Sequence, residues 1–247
     1  MSAAGGCGTI PQVNGTESTS RRWLGVAAAT AAAFIVATVL DFVPVVDAWN
    51  RASSVWLQGP AAYWLTLVSS GVGLVFSGQV ILAATLLLGV GLWLAGYKEQ
   101  ALALAGVFAT VLIEVILKDR LRRPSPQGVL QSRTFLHVAV GPHFLQFSFP
   151  SGHVARETFV LGWVALWLIP PRSRGWALWL LGLVVAAIAW DRIYAGDHWL
   201  MDVIAGFLLA VFFLAATQLL YWGWLRDLLT NWHLLPALKT TPGASHG

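Results

Sequence analysis

Apolar residues run almost without interruption through most of this chain, and polar residues arrive in a few short clusters that mark where the chain leaves an apolar environment. After Arg21 and Arg22, residues 23–40 form an uncharged run, close to the roughly 20 residues needed to cross a bilayer core. This predicts a first transmembrane helix. Residues 41–60 mix Asp47, Asn50, Arg51 and Gln58 with Trp49 and Trp56, the profile of a segment lying at the interface. Residues 52–97 carry no charge and are too long for one span. Breaks are expected at Ser69-Ser70-Gly71 and Ser77-Gly78-Gln79, with one full span over about 74–95 and an interfacial or partly inserted helix before it; two full spans are the alternative. Lys98-Glu99-Gln100 make a short polar loop. Further spans are predicted over 101–117, 154–169, 176–190 and 199–221, which gives six crossings in all. Tryptophans close to most span ends (Trp23, Trp93, Trp176, Trp190, Trp199, Trp222) fit interfacial belts.

Composition agrees with the pattern. The 247 residues are 57% hydrophobic and 11% charged, less than half the charge of an ordinary soluble domain, roughly 25%. A helical membrane bundle follows, all-α, and disorder is excluded for the bulk of the chain. A single cysteine, Cys7, cannot close an intramolecular disulfide. Residues 1–20 read as a disordered polar tail, 21–225 as the transmembrane domain and 226–247 as a polar C-terminal tail. The net charge of +4 does not indicate nucleic acid, because Lys118, Arg120, Arg122 and Arg123 crowd into one short stretch and the other cations are scattered.

Three polar clusters carry the chemistry, within loops 118–153 and 191–202. In the first, Lys118-Asp119-Arg120-Leu121-Arg122-Arg123-Pro124, the proline predicts that the helix ends near Arg122 or Arg123. Glu114, one turn earlier, is placed to pair with Lys118. Snorkelling anchors would account for these cations equally well if they stood alone. The second, Pro150-Ser151-Gly152-His153, opens a membrane helix whose unpaired N–H groups favour an anion, while serine adds a donor and glycine permits close approach. An ordinary helix cap is the simpler explanation, weakened by the histidine inside an apolar helix. In the third, Asp191 to Asp202, His198 and Asp202 stand four residues apart at a helix start, so a carboxylate–imidazole bond is feasible and would leave the other ring nitrogen nucleophilic. Arg192 can hold an oxyanion with two donors. The crossings after Lys118 bring all three clusters to one side of the membrane. Together they suit phosphoryl transfer, in which catalysis is chiefly positioning and charge stabilisation.

Lys118 to Pro124, Pro150-Ser151-Gly152-His153 and Arg192-x5-His198-x3-Asp202 resemble the three signatures of the type 2 phosphatidic acid phosphatase family, over about residues 60–222. The resemblance implies a metal-independent membrane lipid-phosphate phosphatase without a cofactor. His198 would attack phosphorus, Asp202 would orient it, and His153 would protonate the leaving oxygen. Lys118, Arg123, Ser151, Gly152 and Arg192 would bind phosphate oxygens, and the substrate would be a lipid phosphate or lipid diphosphate held among membrane lipids. Two departures stand out: the arginine–proline pair comes two residues early, so Ser125-Pro126 occupies its usual place, and Asp191 replaces the serine that usually precedes the third-motif arginine. A lipid phosphotransferase and a transporter or channel with a basic vestibule are the competing readings. A haloperoxidase fits poorly, since those relatives are soluble. Counting Lys and Arg with the site cations set aside favours cytoplasmic termini and an extracytoplasmic site.

Overall fold

The computed structural model describes residues 14–133 and 147–221. Cys7, the start of the predicted N-terminal tail and the C-terminal tail lie outside the described residues. Helix α1 spans Asn14–Asp41, and so reaches back into the stretch expected to be a tail. Helices α2 (Pro44–Gln58), α3 (Tyr63–Val75) and α4 (Gly78–Leu94) follow, then α5 (Lys98–Leu104), α6 (Gly106–Leu121), α7 (Gly152–Trp167), α8 (Arg174–Tyr194) and α9 (Leu200–Leu220).

The packing is inside out relative to a water-soluble fold. Leu24, Ile35, Val39, Leu87, Trp176 and Leu180 are exposed, while Asn50, Ser54, Thr110, Glu114, Lys118 and Arg192 are buried. In α2 the contrast lies within one helix: Asn50, Ser54 and Gln58, spaced by four, face inward, and Val45, Trp49 and Trp56 face out. Such a helix is stable where its outer surroundings are lipid.

Among the described residues, four stretches are long and apolar enough to cross a membrane: Thr19–Asp41, Lys98–Leu121, Pro171–Tyr194 and Leu200–Leu220. A fifth is counted if α3 and α4, bent by 40° at their junction, form one broken span. Against the six crossings expected, length and composition mark four clearly, or five with the bent pair. The two differences have local causes. Of the two anticipated breaks only Ser77-Gly78 exists, with Ser77 Oγ accepting from Val80 N to start α4. Ser69 and Ser70 stay inside α3 and are buried. The α7 helix has 16 residues, about 24 Å long against a hydrocarbon core of about 30 Å, and carries Arg156 and Glu157.

Although short, α7 is central. Its Phe159 and Trp163 join Leu104, Val107, Ala210 and Leu214 in a fully apolar cluster that ties α5, α6, α7 and α9 together. A second cluster, Leu130, Val154, Val185, Ile193, Trp199 and Val203, sits where the polar segments converge. The segment after α6 is fastened there by an isolated bridge between Pro124 and Phe147 and by Trp199 Nε1 donating to Pro124 O at 3.1 Å. The α6 helix ends as its sequence predicts: Leu121 is its last residue, and Arg122 takes a left-handed conformation (φ 49°) with its N–H on Lys118 O.

Candidate active site

The start of α9 is built with unusual completeness for a helix end, where the first N–H groups lack partners within the helix. Asp202 Oδ2 accepts from Trp199 N at 2.8 Å, as an internal cap. The next two donors are satisfied from α2: Leu200 N donates to Ser54 Oγ (2.9 Å) and Met201 N to Asn50 Oδ1 (3.0 Å). Asn50 Nδ2 in turn donates to Asp41 Oδ1 at 3.0 Å. This polar stripe of α2 fixes the turn that carries His198 and Asp202. His198 Nδ1 lies 3.5 Å from Asp202 Oδ2, and both residues are buried.

The α7 start is locked to the same turn. Ser151 N donates to Asp202 O at 2.9 Å, and Gly206 of α9 lies so close that a Cβ there would stand 2.4 Å from Ser151 O. His153 follows, its ring centroid 6.4 Å from that of His198 with the planes at 65°. Ser151 is fully buried, its Oγ has no hydrogen-bond partner, and α7 has no side-chain cap. An unpaired buried hydroxyl beside an uncapped helix start is an anion-receptive arrangement.

The expected cations reach this place with different commitments. Lys118 Nζ is 2.9 Å from Glu114 Oε1, the pairing anticipated from their spacing. Arg192, in the last turn of α8 rather than in a loop, has its Nε on Asp191 Oδ2 (3.1 Å), Nη2 on the same oxygen and Nη1 on Asp197 Oδ2 (3.3 Å). Asp191, the departure from the family serine, thus pairs with its own neighbour. Arg123 is held by carboxylates of α1 and α2, with Nε 3.2 Å from Asp41 Oδ2 and Nη2 on Asp47 Oδ1. Burial works against ionisation of Asp47, but hydrogen bonds from Arg123 and Arg51 outweigh it and keep the carboxyl below the usual carboxylate range.

Three groups went unnoticed in the sequence. Arg156 donates from Nη1 to Glu114 Oε2 at 2.5 Å. Glu157 is buried with neither carboxylate oxygen hydrogen-bonded. An Arg-Glu pair in an otherwise apolar helix, one turn beyond His153, was the available signal. Arg133 donates to Gln58 O and Gly59 O at 2.8 Å each, and fastens the α2–α3 linker under the site; nothing in its own sequence surroundings marks it. Among the described residues, no group of three or more His, Cys, Asp or Glu is placed to hold a metal ion.

The chain is thus a multi-pass helical bundle that gathers two histidines, an aspartate and buried cations at one end. The chain belongs to the PAP2 superfamily, whose family model matches residues 99–226. An undecaprenyl-diphosphatase of Sulfolobus acidocaldarius is 34% identical over 105 residues, 40% of this chain and 48% of that protein, so the match spans about half of the relative's length. Phosphatidylglycerophosphatase B of Bacillus subtilis is 26% identical over 154 residues, 60% of this chain and 71% of that one. The fold matches the crystal structure of a transmembrane PAP2 type phosphatidylglycerolphosphate phosphatase from Bacillus subtilis with a TM-score of 0.65 at 20% identity, over 77% of this chain and 93% of the other.

Proposed function

We propose that the chain is a membrane lipid-phosphate phosphatase that hydrolyses a phosphomonoester or pyrophosphate of a lipid through a phosphohistidine. The observation carrying this reading is the facing pair of histidines, 6.4 Å apart by ring centroids, one of them backed by Asp202. With Nδ1 toward Asp202, the Nε2 of His198 is the nitrogen offered to phosphorus. It forms the N–P bond as the P–O bond to the lipid breaks, and His153 gives its proton to the departing oxygen. Water then attacks the phosphohistidine, His153 takes up the water proton, and phosphate leaves. Lys118, Ser151 Oγ, the Gly152 N–H and Arg192 supply donors to the phosphate oxygens. Arg123 contributes from the α1–α2 side, through its brace on Asp41 and Asp47.

The same proposal takes α7 as a sixth crossing. It is shielded from lipid by its neighbours and so needs less length than an outer helix. The domain then runs over residues 21–225, with cytoplasmic termini and the site on the extracytoplasmic side. The test is phosphate release by purified protein from phosphatidic acid, phosphatidylglycerophosphate and polyprenyl diphosphate in the presence of EDTA. Release from at least one, abolished by His198→Ala, is expected. A well-folded protein releasing phosphate from none would overturn the proposal.

A further inference from the structure

The buried ion pairs near the site differ in balance. Arg192 is matched by two carboxylates, Asp191 and Asp197. Arg123 is matched by two more, Asp41 and Asp47. Arg133 is engaged by the Gln58 and Gly59 carbonyls. Around Glu114 the ratio is reversed: one carboxylate serves two cations, Lys118 through Oε1 at 2.9 Å and Arg156 through Oε2 at 2.5 Å. Among the buried ion pairs of the described residues, this is where cations outnumber carboxylates; Glu157, the residue after Arg156, is buried but has neither oxygen hydrogen-bonded and takes no part in the triad's ion pairs. All three residues are at most 9% exposed, so water screens the imbalance weakly.

The triad is also a joint between two motif segments. The Glu114 carboxylate rests on Gly152, where a Cβ would stand 1.9 Å from Oε1. The Arg156 guanidinium rests on Gly78 at the start of α4, where a Cβ would stand 2.9 Å from Nη2. One carboxylate therefore fixes Lys118 of α6 against the Gly152 turn of α7, and the α3–α4 break makes room for the arginine that holds it.

We infer that Glu114 and Arg156 are positioning residues for anion binding: Glu114 orients Lys118 beside Gly152, and Arg156 supplies the second positive charge. Without Arg156 the Lys118–Glu114 pair is neutral and has little attraction left for phosphate. With it the triad keeps one net positive charge, delivered at the lysine. This rests on the proposed function, since it concerns the same phosphate site, but it assigns work to two residues outside the family signatures.

The inference is tested by titrating the purified full chain with inorganic phosphate and by measuring KM and kcat on the lipid phosphate it hydrolyses, with a thermal melt of each variant as the folding control. Arg156→Gln is expected to weaken phosphate binding about tenfold or more and to raise KM more than it lowers kcat. Arg156→Lys, which keeps the charge, is expected to stay near the wild-type protein. Glu114→Gln combined with Arg156→Gln restores one net positive charge and is expected to bind phosphate better than Arg156→Gln alone. A purely structural clamp predicts the opposite order, because the double variant loses both ion pairs of the triad. Wild-type phosphate affinity in Arg156→Gln, or a double variant weaker than the single one, overturns the inference while leaving the proposed function standing. A wild-type protein that neither binds phosphate nor hydrolyses any lipid phosphate removes both.

Discussion

Gly206→Ala puts the proposed site geometry under direct strain without touching any reacting group. The new methyl would stand 2.4 Å from Ser151 O, 3.3 Å from Ser151 C and 3.4 Å from Ala155 N. A carbon and a carbonyl oxygen settle at about 3.3 Å, so α7 and α9 must part by about 0.9 Å at this point. The obstacle is backbone on both sides, and no rotamer change relieves it. In stability terms, overpacking costs about 1–3 kcal/mol, offset by up to about 1 kcal/mol of helix propensity gained on replacing glycine. The net loss is therefore small, and the protein should fold. In rate terms the effect is larger. Ser151 N–H on Asp202 O joins the two segments that carry His153 and His198, and a misplacement of about 1 Å between reacting groups costs on the order of a hundredfold. Phosphate release under saturating lipid is thus expected to fall by about two orders of magnitude while the melting temperature drops by only a few degrees. Gly182→Ala, inside α8 where nothing lies within 4 Å, is the matched control: it should leave turnover unchanged and hold or raise the melting temperature through the same gain in helix propensity. A Gly206→Ala protein turning over within a factor of about two of wild type would refute the claim that this contact sets the distance between the histidines.

Other perturbations separate stability from chemistry. Asn50→Ala leaves Met201 N and Asp41 Oδ1 buried without their partner, and should cost about 1–3 kcal/mol, seen as a lower melting temperature. Ser151→Ala removes a buried hydroxyl with no protein partner; its melting temperature should hold or rise, while phosphate affinity falls about tenfold. Asp47, whose carboxyl titrates low because Arg123 and Arg51 bond to it, adds stability that is fully present above its unfolded value of about 3.9 and lost as pH falls through its folded value. The gap in melting temperature between wild type and Asp47→Asn should therefore be flat above about pH 5 and close below about pH 4; a gap that widens on acidification would contradict the assignment.

How much of this was legible beforehand follows from the range of the signals. Span positions come from local apolarity, so α9 and the end of α6 lie where they were predicted. The pairing of Lys118 with Glu114 follows from a four-residue step along one helix; the same spacing brings His198, which precedes the start of α9, to 3.5 Å from Asp202. The bend between α3 and α4 was visible as Ser77-Gly78, yet Ser69-Ser70 looked the same, because a serine that caps a helix and one that faces a polar interior differ only in their neighbours. Asp191 and Arg192 were expected in a loop and fall inside α8, since the apolar run ends before the helix does. The carboxylate partners of Arg123 and Arg156 stand tens of residues away on other helices, as do the Gln58 and Gly59 carbonyls at the end of α2 that hold Arg133, and no local pattern encodes them. The cross-capping of α9 by Asn50 and Ser54 belongs to the same class: α2 read as an interfacial segment, but nothing in it disclosed what its polar stripe would hold.

That cross-cap makes α2 a lever. Its outer face carries Trp49 and Trp56, both exposed, the side chains that set a helix's depth at a headgroup boundary. Its inner face grips the first turn of α9 through two hydrogen bonds. A bilayer that thins or thickens is expected to reseat the outer face, and the two hydrogen bonds link that face to the turn carrying His198 and Asp202. On the proposed function, lipid environments that seat α2 at a different height should therefore change the rate of phosphate release with no ligand involved.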